Sequence, residues 1–83
     1  MKSLIVKRSV IIGGHKTSVS LETPFWDGLK EIAETRQTPL SQLLDMIDTG
    51  RNSPNLSSAI RVFVFEHYHA RAIGEAVRHE NEI

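Results

Sequence analysis

The stretch "HKTSVSL", residues 15–21, decides how this chain folds. Lys16, Ser18 and Ser20 fall on one side of it, and Thr17, Val19 and Leu21 on the other. A period of two is the mark of a half-buried β-strand. The segment that follows, "ETPFWDGLKEIAETR", carries helical spacing instead, and no later segment clearly pairs with the strand. One amphipathic strand cannot stand alone. Its partner is therefore either an upstream segment of the same chain or the same strand of a second copy.

Both choices have support in the residues. "KRSVII" at 7–12 is β-prone and is followed by Gly13-Gly14. Two glycines between β-prone runs are a hairpin signal. Residues 6–12 can thus fold back on 15–21, or residues 1–14 can serve as a basic arm that orders on a partner. In a two-fold ribbon built from two copies, Thr17, Val19 and Leu21 would pack down on the helices while Lys16, Ser18 and Ser20 face outward.

Outward from the strand, the helix signals are regular. Thr23 is placed as an N-cap with Pro24 in the first helical position, where a missing N–H costs nothing. Phe25, Leu29, Ile32 and Ala33 then make one apolar stripe, with Trp26 at its edge and an end expected near Arg36. Gly28 inside it costs about 1 kcal/mol relative to alanine, and a close helix approach would account for it. Thr38-Pro39 repeats the same entry, with Leu40, Leu43, Leu44 and Ile47 as the buried face and Gly50 at the close. "GRNSPN" is loop by composition. A third, longer helix opens at Asn55 or Ser57, with Leu56, Ile60, Phe63, Val64, His67 and Ile73 on one side. Val62 and Phe65 add apolar surface elsewhere, which suits burial against a second subunit. The spacing gives a basic arm or hairpin strand over 1–14, one domain over 15–78 and a polar tail over 79–83.

Eighty-three residues amount to one domain. A chain of this size buries only about 60 % of the surface its unfolded state exposes, so a lone monomer is marginal. With no cysteine, disulfide and cysteine–zinc stapling are excluded and dimerisation is the expected remedy. No apolar run approaches the roughly 18 residues of a membrane span, and Lys7 and Arg8 break the only candidate signal core, so a cytoplasmic protein is expected. Formal net charge is zero, yet its distribution is uneven. Residues 1–21 hold Lys2, Lys7, Arg8 and Lys16 without any acid, while all ten acidic residues and the other six basic ones follow. That polarity would orient the molecule on an anionic partner.

Catalysis finds little support. There is no Gly-x-Ser-x-Gly elbow and no phosphate-binding glycine loop. His67 and His69 stand about 200° apart around a helix and cannot chelate one ion from a single face. Asp45 and Asp48 read as a solvated helix face. No metal, cofactor or enzymatic activity is expected.

Strand, "SLETPFWDGLKEIAETR", then a capped "TPLSQLLDMI" resembles the ribbon-helix-helix DNA-binding domains of the Arc and MetJ type. "KRSVIIGGHKTSVSLETPFWDGLKEIA" with "NLSSAIRVFVFEHYH" is similar, more narrowly, to a bacterial subfamily of small stand-alone members. The resemblance covers roughly residues 7–69. It implies a mainly α fold with a short β-ribbon: an intertwined homodimer with intersubunit antiparallel strands, plus an additional C-terminal helix here. It implies double-stranded DNA as partner, transcription regulation as the role, and base contacts from Lys16, Ser18 and Ser20. It also implies a phosphate clamp at the start of the second helix, at Thr38, Leu40 and Ser41, an arrangement that helix N-termini favour on their own. Lys7 and Arg8 would add phosphate contacts, with Lys2 beside them. Val19, Leu21, Leu43, Ile47, Ile60 and Phe63 would form the dimer interface, and dimers could stack on neighbouring half-sites.

Two departures bear on this. Serines at two of three reading positions reach less far than the arginine, glutamine or asparagine of many members, leaving Lys16 as the one conventional reader. "NLSSAIRVFV" also resembles the family's second helix, in which case the clamp moves to Asn55, Ser57 and Ser58 and residues 38–49 become an insertion. Spacing favours the earlier helix. The rival function is a protein-interaction module, an antitoxin or adaptor that docks a partner through the C-terminal helix.

Overall fold

Gly13 and Gly14 both take positive φ, +58° and +78°, the left-handed pair that a two-residue hairpin turn demands. The turn joins β1 (Ile5–Ile12) to β2 (His15–Glu22) in an antiparallel pair whose register runs from Ile12 opposite His15 to Ile5 opposite Glu22. The partner of "HKTSVSL" within the chain is therefore the upstream strand, and the hairpin is the one of the two N-terminal alternatives that forms. β2 keeps its second edge. The computed structural model describes residues 4–81, with side chains as far as residue 73; Lys2 lies outside the described residues.

Three helices follow: α1 (Thr23–Thr35), α2 (Leu40–Gly50) and α3 (Leu56–Asn81). The chain passes from β2 into α1 without a loop, so the N-cap is Glu22 and Thr23 is already helical; its hydroxyl caps nothing. The end of α1 is a Schellman turn. Gln37, at φ +53°, lets its N–H reach the Glu34 carbonyl at 3.0 Å and the Thr38 N–H reach the Ala33 carbonyl at 2.9 Å. That turn also redirects Thr38, whose hydroxyl donates to the Arg36 carbonyl at 3.2 Å, and Pro39 takes the N-cap position of α2. α3 is capped as its sequence suggests, with Asn55 Oδ1 accepting from the Ser58 N–H at 3.2 Å. It then runs to Asn81, beyond the point where polar composition placed a tail.

One core joins the ribbon to all three helices. Val10, Val19 and Leu21 come from the ribbon, Leu29, Ile32 and Ala33 from α1, Leu43, Leu44 and Ile47 from α2, and Ile60 and Val64 from α3. Gly28 faces α3: a Cβ there would stand 3.0 Å from Val64 Cγ1 and 3.4 Å from Tyr68 Cε2. A side chain there would need Val64 to give by a few tenths of an ångström. Ile73, expected on the buried side of α3, is exposed, as is every residue from His69 onward to it, because the packed stretch of the helix ends at Tyr68. Thr17, expected to pack on the helices, is also exposed; near the hairpin tip the apolar contact comes from Val10 opposite it.

Candidate nucleic-acid interface

The register sorts the ribbon into two faces. Val6, Arg8, Val10 and Ile12 share the helix side with His15, Thr17, Val19 and Leu21. Ile5, Lys7, Ser9 and Ile11 share the outer side with Lys16, Ser18, Ser20 and Glu22. Cross-strand pairs on the outer face are Ile5 with Glu22, Lys7 with Ser20, Ser9 with Ser18 and Ile11 with Lys16. The three residues singled out on β2 are thus on one face as expected, and β1 widens that face with Ile5, Lys7, Ser9 and Ile11. The signal was in the sequence: a two-residue turn at 13–14 fixes 11 opposite 16 and 9 opposite 18.

Charge on this face has one sign where it is free. Lys7 and Lys16 are exposed. The one acid, Glu22, accepts a hydrogen bond from Arg61 Nε at 2.8 Å. That bond, chiefly, holds its carboxyl below the usual carboxylate range. Arg8 is placed differently from expectation. Even numbering in β1 turns it to the helix side, where its guanidinium stacks on Trp26 at 4.8 Å from the ring centroid and its Nε is buried without a hydrogen-bond partner. It cannot serve the outer face as Lys7 does.

Hydrogen bonds at two points hold the ribbon in place. Asp45 Oδ1 on α2 accepts from the Gly13 N–H at 2.7 Å, pinning the turn. At the other end, the Ser20 N–H donates to Ser57 Oγ at 3.2 Å, and Arg61 Nη2 donates to the Ser20 carbonyl at 3.5 Å. The open edge of β2 at Ser20 is therefore covered by the first turns of α3. This also brings the α3 N-terminus to the β2 edge at Ser20, whereas Thr38 is engaged in the α1–α2 turn and α2 begins without a side-chain cap. Asp45, read as a solvated carboxylate, has a structural use that spacing gave no reason to suspect.

Of the six residues expected between subunits, Val19, Leu21, Leu43, Ile47 and Ile60 are buried within the single chain, and Phe63 is half-buried beneath the Arg36 guanidinium. An intramolecular hairpin closes enough core to use them. The large apolar side chains left exposed are others, among them Ile5, Ile11, Met46, Val62, Phe65 and Ile73. An open groove of about 610 Å³ runs between α2 and α3, lined in part by Met46, Val62, Phe63 and Glu66. Among the described side chains, His69 stacks on Phe65 and His67 packs at right angles to Tyr68. Among the described residues no three His, Cys, Asp or Glu side chains gather in a metal-holding group. No described helix is long and apolar enough to cross a membrane.

A family model described as the ribbon-helix-helix domain matches residues 5–68, well over half of the chain. The chain belongs to the ribbon-helix-helix domain family. Members are commonly DNA-binding transcription regulators or antitoxins. The matched span opens at the start of β1 and closes at Tyr68, so the hairpin and the packed half of α3 both belong to the family pattern. Comparison with curated proteins and with solved structures returns no match.

Proposed function

We propose that the chain is a non-enzymatic bacterial transcription regulator of the cytoplasm that acts as a homodimer and binds duplex DNA through the outer face of its ribbon. The observation that carries this is the face itself: two strands wide, edged by Lys7 and Lys16, with its only carboxylate neutralised by Arg61. A major groove about 12 Å wide admits a two-stranded β-ribbon. Lys16, Ser18 and Ser20 then meet base edges, and Lys7 meets a phosphate. The second phosphate site is better supplied by the N-terminus of α3 than by Thr38, Leu40 and Ser41, since Ser57 sits against Ser20 at the margin of the reading face. Homodimerisation is supported by the apolar groove between α2 and α3, which leaves the ribbon two strands wide.

Fluorescence anisotropy with duplex DNA selected from a random library tests the reading. Lys7→Ala should weaken binding and reduce the salt slope by about one, and Lys16→Ala should weaken binding and relax specificity at one base pair. Asn55→Ala should weaken it more than Thr38→Ala. Unchanged affinity and slope in both lysine variants would remove the ribbon from the account.

A second reading rests on Val62, Phe65 and Ile73, a solvent-facing apolar run along α3. An antitoxin or adaptor would use that run to hold a protein partner. The run and the ribbon face use different residues, while Val62 is shared with the groove assigned to the dimer.

A further inference from the structure

Ile5 and Ile11 are the two large apolar side chains that the ribbon leaves exposed on its outer face, and Ile11 is the one set beside a free cation. It lies on the outer face, 58 % exposed, directly opposite Lys16 and two residues from Ser9. A large apolar side chain there contributes no core contact, although Val10 and Ile12 on either side of it do pack inward. It is also held firmly. The Asp45 bond to Gly13 fixes the turn two residues away, and the two left-handed glycines fix the register that puts residue 11 beside residue 16.

We propose that Ile11 is a specificity-determining residue that recognises the 5-methyl group of a thymine, in the base pair adjacent to the one read by Lys16. This rests on the ribbon-in-groove reading above. The chemistry follows from the groove: of the four bases only thymine presents a methyl group on the major-groove edge, and apolar side chains are what meet it. The geometry follows from the register. Side chains directly opposed across two strands have Cβ atoms about 5 Å apart. Successive bases of one strand rise by about 3.4 Å, so such a pair spans neighbouring steps. Lys16, as a donor, suits the O6 and N7 acceptors of guanine. Together the Ile11–Lys16 pair selects a thymine next to a guanine. The serines at 18 and 20 then need not carry the specificity, since β1 supplies the contact they lack.

The test removes the methyl group without touching the protein. Duplexes selected by the wild-type chain are remade with deoxyuridine in place of each thymine in turn. At the thymine beside the preferred guanine, the exchange should weaken wild-type binding about fourfold, the worth of one buried methyl group. Ile11→Ser should bind the thymine duplex about as weakly as wild type binds the uracil duplex, and should show no further loss on the exchange. Ile11→Val, which keeps the apolar surface, should retain the preference. Selected sites without a recurrent thymine next to guanine would overturn the proposal. So would an exchange that leaves wild type unaffected or weakens Ile11→Ser equally. Either result with duplex binding intact refutes only the thymine contact, whereas absence of duplex binding refutes the groove reading with it.

Discussion

Truncating Leu21 and Ile11 to alanine measures the two faces of the ribbon against each other. Leu21 has no exposed surface and is packed in the core, whereas Ile11, of the same size, is 58 % exposed on the other face. Deleting a buried leucine side chain costs about 2–5 kcal/mol, the transfer term plus the cavity left behind. An exposed substitution away from special features stays within roughly 0.5 kcal/mol. Domains hold about 0.05–0.15 kcal/mol of stability per residue, so the Leu21 loss is a large share of what a chain this small has. With a urea slope near 1 kcal/mol per molar for a small protein, a loss of about 3 kcal/mol lowers the midpoint by about 3 M. Ile11→Ala should move it by about 0.5 M or less. Circular dichroism during urea titration, at one fixed protein concentration, reads both. Equal shifts for the two variants would refute the face assignment, because a one-residue slip of register turns every side chain of a strand to the other face.

Further outcomes follow from particular contacts. Gly28→Leu should destabilise by about 1–3 kcal/mol through overpacking against Val64, seen as a lower melting temperature. Arg8→Ala should quench or shift Trp26 fluorescence and cost about 0.5–1 kcal/mol of stability, while changing DNA affinity less than Lys7→Ala does. The Glu22 carboxyl is held low in the folded state, so its contribution is present above the unfolded value and lost as pH falls through the folded one. Wild type should therefore lose more stability below about pH 4 than Glu22→Gln does, measured by melts across pH. Tyr68, the one tyrosine, is raised above its ordinary value chiefly by burial, with Glu31 adding to it. Its phenolate absorbance should appear later in an alkaline titration than that of a free tyrosine.

Much of the fold was legible because local physics agreed with the tertiary result. The alternation of 15–21 put Val19 and Leu21 in the core, and the helical spacing of Leu29, Ile32, Leu43, Leu44 and Ile60 did the same. What was not legible depended on contacts distant in sequence. Whether Gly13-Gly14 closes a hairpin or hinges an arm depends on Asp45, thirty-two residues away. Thr23 and Thr38 have the composition of N-caps, yet the unbroken passage from β2 to α1 and the left-handed Gln37 put their hydroxyls elsewhere. Arg8 looked like a second surface cation because charge is visible in sequence, while the parity of its strand position relative to Trp26 is set by the register. The candidate site was half legible: β2 declared its outer residues, and β1 could do so only once the turn was fixed.

The central claim is that duplex DNA lies on the outer face of the hairpin, and backbone amide NMR tests it most directly. On titration with a selected duplex, the account predicts shifts concentrated at Lys7, Ser9, Ile11, Lys16, Ser18 and Ser20, with smaller ones at Leu56 and Ser57. Shifts confined to α3 between Val62 and Ile73, with both strands unmoved, would contradict it.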